Sequence, residues 1–262
     1  MNIFKKIHPS KPLKYLRWFD IVIITIIMFG QFIIRSTELF LANTFPTGAS
    51  STEGIVRQAA SEGAAYFSNF TLQAILLAVT LLYLLIRNYD FKQLPIHWNW
   101  SIIFWVPFIF ALVGLFGDLV TTLTGKYNYF NPDLFAYIDF TQIIGKFLAL
   151  SPIAIAYALL NGFYEEFFFL GLLTSVKEKH KWLVLLYSTI IRISFHTYQG
   201  LVWAFVIGVV YGLFYYFLYK YKIKNLLPFF FMHALADMFG SSLIYLLVAW
   251  GDLRIRKVRS VV

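Results

Sequence analysis

The sequence predicts an all-α protein, a polytopic transmembrane helical bundle of about seven membrane helices, or eight if a long fourth apolar segment counts twice. Three observations lead there. The 262 residues are 60% hydrophobic and 20% aromatic but only 13% charged, about half the charged share of an average soluble domain. Apolar runs of about 20 residues recur from end to end, each long enough to cross a bilayer. Lys and Arg fall in short clusters between those runs, where they set topology and meet anionic lipid. The formal net charge of +9 is therefore not a nucleic-acid signal. Cysteine is absent, which excludes disulfides, thiolate metal sites and a cysteine nucleophile.

Lys5, Lys6, Lys11, Lys14 and Arg17 form a basic flank before an apolar run from Trp18 to about Ala42. The run is too long for a signal peptide and has no clear small-residue cleavage site, so it reads as a retained first span with a cytoplasmic N-terminus. Arg35 and Glu38, one turn apart near its far end, suit an i,i+3 pair or snorkelling. Thr44 to Asn69, with Glu53, Arg57 and Glu62, suits an external loop or surface helix. A second span runs from about Phe70 to Ile86, and Arg87, Asp90 and Lys92 return the chain. Trp98 and Trp100 anchor a third span ending near Thr122. After a turn-rich loop at 125–139 the chain stays apolar from Thr141 to Thr174, so this fourth helix is tilted, broken near Asn161-Gly162, or extends beyond the bilayer. Lys177 to Lys181 is a basic turn, and His8, His97 and His180 read as ordinary solvated residues. The fifth span starts at Trp182. The sixth, Leu201 to Tyr219, carries Gly208 and Gly212 on a face that admits a close neighbour. The seventh starts at Asn225 with Pro228 in its first turn and runs to Trp250. The basic tail, Arg254, Arg256, Lys257 and Arg259, then falls outside in a seven-span count, against the positive-inside tendency.

Polar residues inside these runs are the functional signal, because charge in lipid costs several kcal/mol unless paired or facing water. Glu165 and Glu166 are adjacent and so point about 100° apart on a helix. Arg192 and His196 are spaced i,i+4, as are His233 and Asp237, and each pair shares a helix face. Three helices with polar faces must turn them towards one another or towards water. A carboxylate in such a cavity can act as general base on water, an imidazole can orient that water, and a second imidazole can stabilise an oxyanion. Glu165, His196, His233 and Asp237 are also a plausible set of ligands for a divalent metal such as zinc. By helical rise, His196 and His233 differ in depth by about 10 Å, a gap that tilt or displaced helix starts must close.

With these residues in view, the chain resembles the CPBP family of intramembrane proteases (CAAX proteases and bacteriocin-processing enzymes, also called Abi). The family pattern is Glu-Glu-x-x-x-Arg, Phe-x-x-x-His and His-x-x-x-Asn or Asp on successive helices. Here it reads Glu165-Glu166-Phe167-Phe168-Phe169-Leu170, then Arg192 to His196, then His233 to Asp237, within about Thr141 to Trp250. Leu170 stands where the family has Arg and Arg192 where it has Phe, which suggests that the guanidinium has moved from the glutamate helix to the histidine helix, to pair bidentately with Glu166. The resemblance implies that Glu165 activates water with His196, that His233 and Asp237 hold the oxyanion or substrate carbonyl, and that Glu166 and Arg192 support them. It favours no cofactor, with metal dependence as the other version.

The organisation expected is one continuous membrane domain: N-terminal helices and loops at 1–140, a catalytic core at 141–250 and a basic tail at 251–262. The resemblance implies an endopeptidase of a bacterial cytoplasmic membrane, acting on a membrane-associated peptide or protein, with lipid as its other partner and no nucleic acid. A non-enzymatic bacteriocin-immunity or scaffold protein is the alternative, and an ion or proton transporter a third reading.

Overall fold

Apolar side chains cover the outside of the helices as well as the inside. Ile26 is 64% exposed, Ile34 62% and Leu85 61%, a surface that suits lipid rather than water. The computed structural model describes residue 9 and residues 11–42 and 55–248, and among these the secondary structure is helical, with no strand. Five helices are long and apolar enough to cross a membrane: α1 (Trp18–Leu41), α2 (Ile55–Ile86, apolar from Gly63), α3 (Ile102–Leu123), α5 (Pro152–Leu172) and α7 (Leu201–Ile223). Two shorter helices, α6 (Lys181–His196) and α8 (Leu227–Phe239), complete the bundle. Two short pieces, α4 (Thr141–Leu148) and α9 (Leu243–Leu247), pack together at one end. This is an integral membrane protein.

Several boundaries differ from the sequence reading, each for a local reason. The second span begins earlier, because the Gly/Ala/Ser-rich stretch from Ile55 is already helical. The fourth segment is broken, but before Pro152 rather than near Asn161-Gly162. Proline cannot continue a helix, and Ser151 caps the new one through the Ala154 N–H at 3.3 Å. The seventh span stops at Phe239 because Gly240 adopts a φ of +79°. Ser242 then starts α9, and the buried Asp118 of α3 accepts from the Leu243 and Ile244 N–H groups at 3.1 and 2.9 Å. Arg87 does not mark a return to water: it is 2% exposed and paired with Asp20, at 2.6 Å from Nε to Oδ1. No ion pair joins Arg35 to Glu38 among the described residues. Lys5, Lys6, Glu53 and the basic tail lie outside the described residues.

α1 and α2 are built into the wall of the motif-bearing helices. The Tyr164 hydroxyl of α5 donates to the Met28 carbonyl of α1 at 2.5 Å, and Tyr187 of α6 donates to Thr25 at 2.8 Å. Ser36 and Thr197 meet at 2.9 Å, and Ser36 also accepts from the Tyr198 N–H. α8 packs chiefly on α5 and α3, and glycines set that approach. A Cβ on Gly162 would meet the Ala234 nitrogen at 2.9 Å; one on Gly208 would strike Ile193 of α6. The small-residue face of α7 thus seats α6, as the sequence predicts.

Gly208→Ala is expected to cost about 1–3 kcal/mol through this overlap with α6 backbone, read as a fall in the thermal unfolding midpoint of detergent-purified protein. An unchanged midpoint would show that the helices do not touch there.

Candidate active site

Glu166 sits at the centre of the site and is fully buried. Its Oε2 accepts from Arg192 Nη2 at 2.6 Å and its Oε1 from His233 Nδ1 at 2.8 Å, so one carboxylate joins α5, α6 and α8. The pair with Arg192 is single rather than bidentate, because the second oxygen belongs to His233. Arg192 Nη1 is left without a hydrogen-bond partner. The guanidinium instead lies over Phe169, 4.0 Å from the ring centroid, a cation–π contact that helps a buried charge. Gly212 makes room for the side chain: a Cβ there would sit 3.3 Å from Arg192 Cδ. Leu170 and Arg192 border the same small void between α5, α6 and α7. A guanidinium rooted at either position would enter the same space.

Glu165 faces elsewhere. Its Oε1 accepts from Asn161 Nδ2 at 3.2 Å, while its Oε2 is buried with no hydrogen-bond partner. The facing ring nitrogen is His233 Nε2, 3.7 Å from Oε2, too long for a direct hydrogen bond and suited to a bridging water or substrate oxygen. His233 Nε2 is also 3.8 Å from Asp237 Oδ1. Because a carboxylate can only accept, Glu166 fixes the Nδ1 of His233 as the protonated nitrogen and aims Nε2 at this gap. The Nδ1 of His196 is likewise 2.8 Å from the Arg192 carbonyl, which leaves Nε2 with a lone pair in the neutral ring. Glu165, His196, His233 and Asp237 line one cavity of about 630 Å³, within the usual size range of ligand sites.

His196 and His233 line the same cavity despite the depth difference expected from helical rise, and the chain is already buried just before α8. Asn225 and Leu226 are 1% and 0% exposed. Leu226 N–H donates to Pro95 O at 2.9 Å, and Asn225 Nδ2 to His97 O at 2.8 Å. Glu165, Glu166, Arg192, His233 and Asp237 are therefore in one contact network, and His196 stands on its wall.

Sequence reasoning assigned no role to Asn161 and Gln73. Asn161 donates to both Glu165 and Asp237 (2.8 Å to Oδ2) and accepts from Gln73 Nε2 of α2 at 2.6 Å. The signal available was an amide one turn before Glu165, on the same face of an apolar helix.

For a metal, ligand atoms of Glu165, Glu166 and His233 lie within 4.8 Å of one another. Both Glu166 oxygens are already engaged, so a cation there would have to displace Arg192 or His233. The set expected from sequence, Glu165, His196, His233 and Asp237, does not converge in this way. Glu166 is therefore a poor ligand, while Glu165 Oε2 and the Nε2 atoms of His196 and His233 keep free positions.

The fold and the site define an integral membrane protein with a carboxylate–imidazole centre between three helices. Residues 147–239 match the family model described as Type II CAAX prenyl endopeptidase Rce1-like, consistent with the resemblance to the CPBP proteases. The match spans all three motifs and supports a protease. Comparison with curated proteins and with solved structures gives no significant match.

Arg192→Ala is expected to cost about 3–5 kcal/mol by stranding the Glu166 charge. Adding Glu166→Gln should recover part of that loss in thermal unfolding. Purely additive losses would show that the pair is not coupled.

Proposed function

We propose that the protein is an intramembrane endopeptidase in which Glu165 is the general base towards water. One observation carries the reading: Glu165 Oε2 is buried, unpartnered and on the wall of a large cavity. A buried carboxylate oxygen with no donor is costly and accounts for itself if water is its partner. In the proposed reaction Oε2 takes a proton as the water oxygen attacks the scissile carbonyl carbon. The proton then passes to the leaving nitrogen as the C–N bond breaks, giving a carboxylic acid and an amine. Asn161 holds Glu165 through Oε1, and the His196 Nε2 lone pair orients the water. His233, when it holds both protons, donates from Nε2 to the oxyanion. Asp237 faces that nitrogen and steadies it, while Glu166 and Arg192 fix His233 from behind. The proposed reaction routes no step through a metal, since Glu166, one of the three clustered candidate ligands, is committed to Arg192 and His233.

Charge placement supports an orientation. Lys11, Lys14, Arg17, Lys92, Lys177, Lys179, Lys181, Lys220, Lys222 and Lys224 belong to the end where α1 and α6 begin, against Arg35, Arg57, Lys126 and Lys146 at the other. The positive-inside tendency places the first end in the cytoplasm. The cavity lies towards the opposite end, among the C-terminal turns of α1 and α6 and the start of the apolar part of α2. This favours a substrate peptide presented from the non-cytoplasmic side or from lipid over a cytosolic one.

Glu165→Gln should abolish cleavage while leaving the unfolding midpoint equal or higher, since it removes an unpaired charge. Comparing membrane peptide profiles of cells carrying the wild-type and variant proteins checks this; identical profiles would favour the scaffold reading. Activity of the purified enzyme should survive exhaustive chelation, and activity restored only by one equivalent of zinc would overturn the metal-free mechanism. The chain has no cysteine, so Ser68→Cys, on the cavity wall, should react with a membrane-impermeant maleimide on intact cells. Lys179→Cys should react only after permeabilisation, and the reverse pattern would invert the orientation.

A further inference from the structure

A second cavity, of about 430 Å³, lies at the end of the bundle where α5 and α7 finish, and it shares no lining residue with the cavity of Glu165. It is bordered by Tyr15, by Gln93 and the turn after it, by the end of α5, and by Lys220 and Lys224 at the end of α7. Its walls are tied in place by the backbone: Leu16 N–H donates to Ser175 O and Leu226 N–H to Pro95 O, each at 2.9 Å.

The charge of this cleft is one-sided. Two lysines border it, and no carboxylate does so among the described residues. The Lys224 ammonium has no hydrogen-bond or ion-pair partner among the described residues. Lys220 is 3.5 Å from Glu178, a carboxylate that sits closer to Lys181, at 2.6 Å. Gln93 adds an Nε2 that is buried with no hydrogen-bond partner. The backbone is unusual here too. α7 ends in a π-helical turn, Tyr219–Ile223, and Lys224 follows with a φ of +50°, a left-handed angle that favours Gly or Asn.

Depth identifies the occupant. Trp18, Trp98, Trp100 and Trp182 are exposed at this same end, at the starts of α1, α3 and α6, and exposed indole rings mark the level of lipid headgroups. We propose that the cleft binds the phosphate of one anionic phospholipid, with Lys220, Lys224 and Gln93 as its donors and the acyl chains remaining in the bilayer. The assignment is independent of the endopeptidase reading and of which side of the membrane this end faces. Scattered basic residues attract an anionic surface as a whole, whereas a cleft with fixed walls takes a single headgroup and depends on the lysines that line it. A free phosphate ion offers the same chemistry, and the experiment separates the two.

Protein purified in an uncharged detergent and stripped of lipid is titrated with phosphatidylglycerol, phosphatidylcholine or sodium phosphate at constant ionic strength, and its thermal unfolding midpoint is followed. Saturating phosphatidylglycerol should raise the midpoint by about 5 °C, and the other two by less than about 1 °C. Native mass spectrometry should count one phosphatidylglycerol per chain. Lys220→Gln combined with Lys224→Gln should abolish the rise. Lys222→Gln makes the same charge change at an exposed position outside the cleft and should keep it. Lys224→Gly guards against misfolding, because glycine suits the left-handed angle: its midpoint without lipid should be equal or higher, and its response to phosphatidylglycerol should fall. An equal rise with phosphatidylcholine, a rise that survives loss of both lysines, or an equal loss in Lys222→Gln overturns the headgroup site. Sodium phosphate reproducing the full rise would overturn lipid as the occupant and make this a site for a soluble anion.

Discussion

Everything in the core answers to the buried charge of Glu166. An ionised carboxylate with no exposed surface must be compensated by partners at hydrogen-bond distance, and two are present, on two different helices. The helices bearing them have to come close to α5. The glycines permit this: Gly162 admits α8, Gly212 admits the stem of Arg192, and Gly208 seats α6 on α7. Replacing any one contact therefore strains the others, because the same carboxylate ties all three helices.

Two glutamates in succession receive opposite treatment because a helix turns them apart. Glu166 points into the packed seam and has both oxygens satisfied. Glu165 points at the cavity and keeps one oxygen free. The link between them is His233, whose two nitrogens face different carboxylates. The nitrogen on Glu166 is locked and the one towards Glu165 is held ready at 3.7 Å. Structural stability and reactive geometry are thus two ends of one imidazole.

Much of this was legible in the sequence, and the parts that were not share a cause. The apolar runs gave the bundle, and the i,i+4 spacing placed Arg192 with His196 and His233 with Asp237 on common faces. The exchange of Leu170 and Arg192 against the family pattern pointed to Glu166, and the guanidinium is found there. What stayed hidden were single polar residues whose partners come from distant segments: Asn161 with Gln73, Asp20 with Arg87, and Asp118 with the start of α9. One amide or carboxylate in an apolar run is compatible with many partners, and periodicity names none. A helix end was missed where one backbone angle decides, as at Gly240, whereas the start of α8 with Pro228 in its first turn was read correctly.

The matched segment is confined to the helices that carry the three motifs and their neighbours, yet the cavity is not. Residues 147–239 supply Glu165, His196, His233 and Asp237, while Phe29, Arg35, Ser36 and Gln73 come from α1 and α2. Gln73 reaches Glu165 and Asp237 through Asn161. The reactive groups are held by a seam that tolerates little change, since each carries a buried charge or meets one. On the α1 and α2 side, Arg35 is exposed, whereas Phe29, Ser36 and Gln73 are buried, and Ser36 and Gln73 are hydrogen-bonded to the end of α6 and to Asn161. On the proposed reading the chemistry belongs to α5, α6 and α8, while α1 and α2 complete the cavity wall that a substrate would meet.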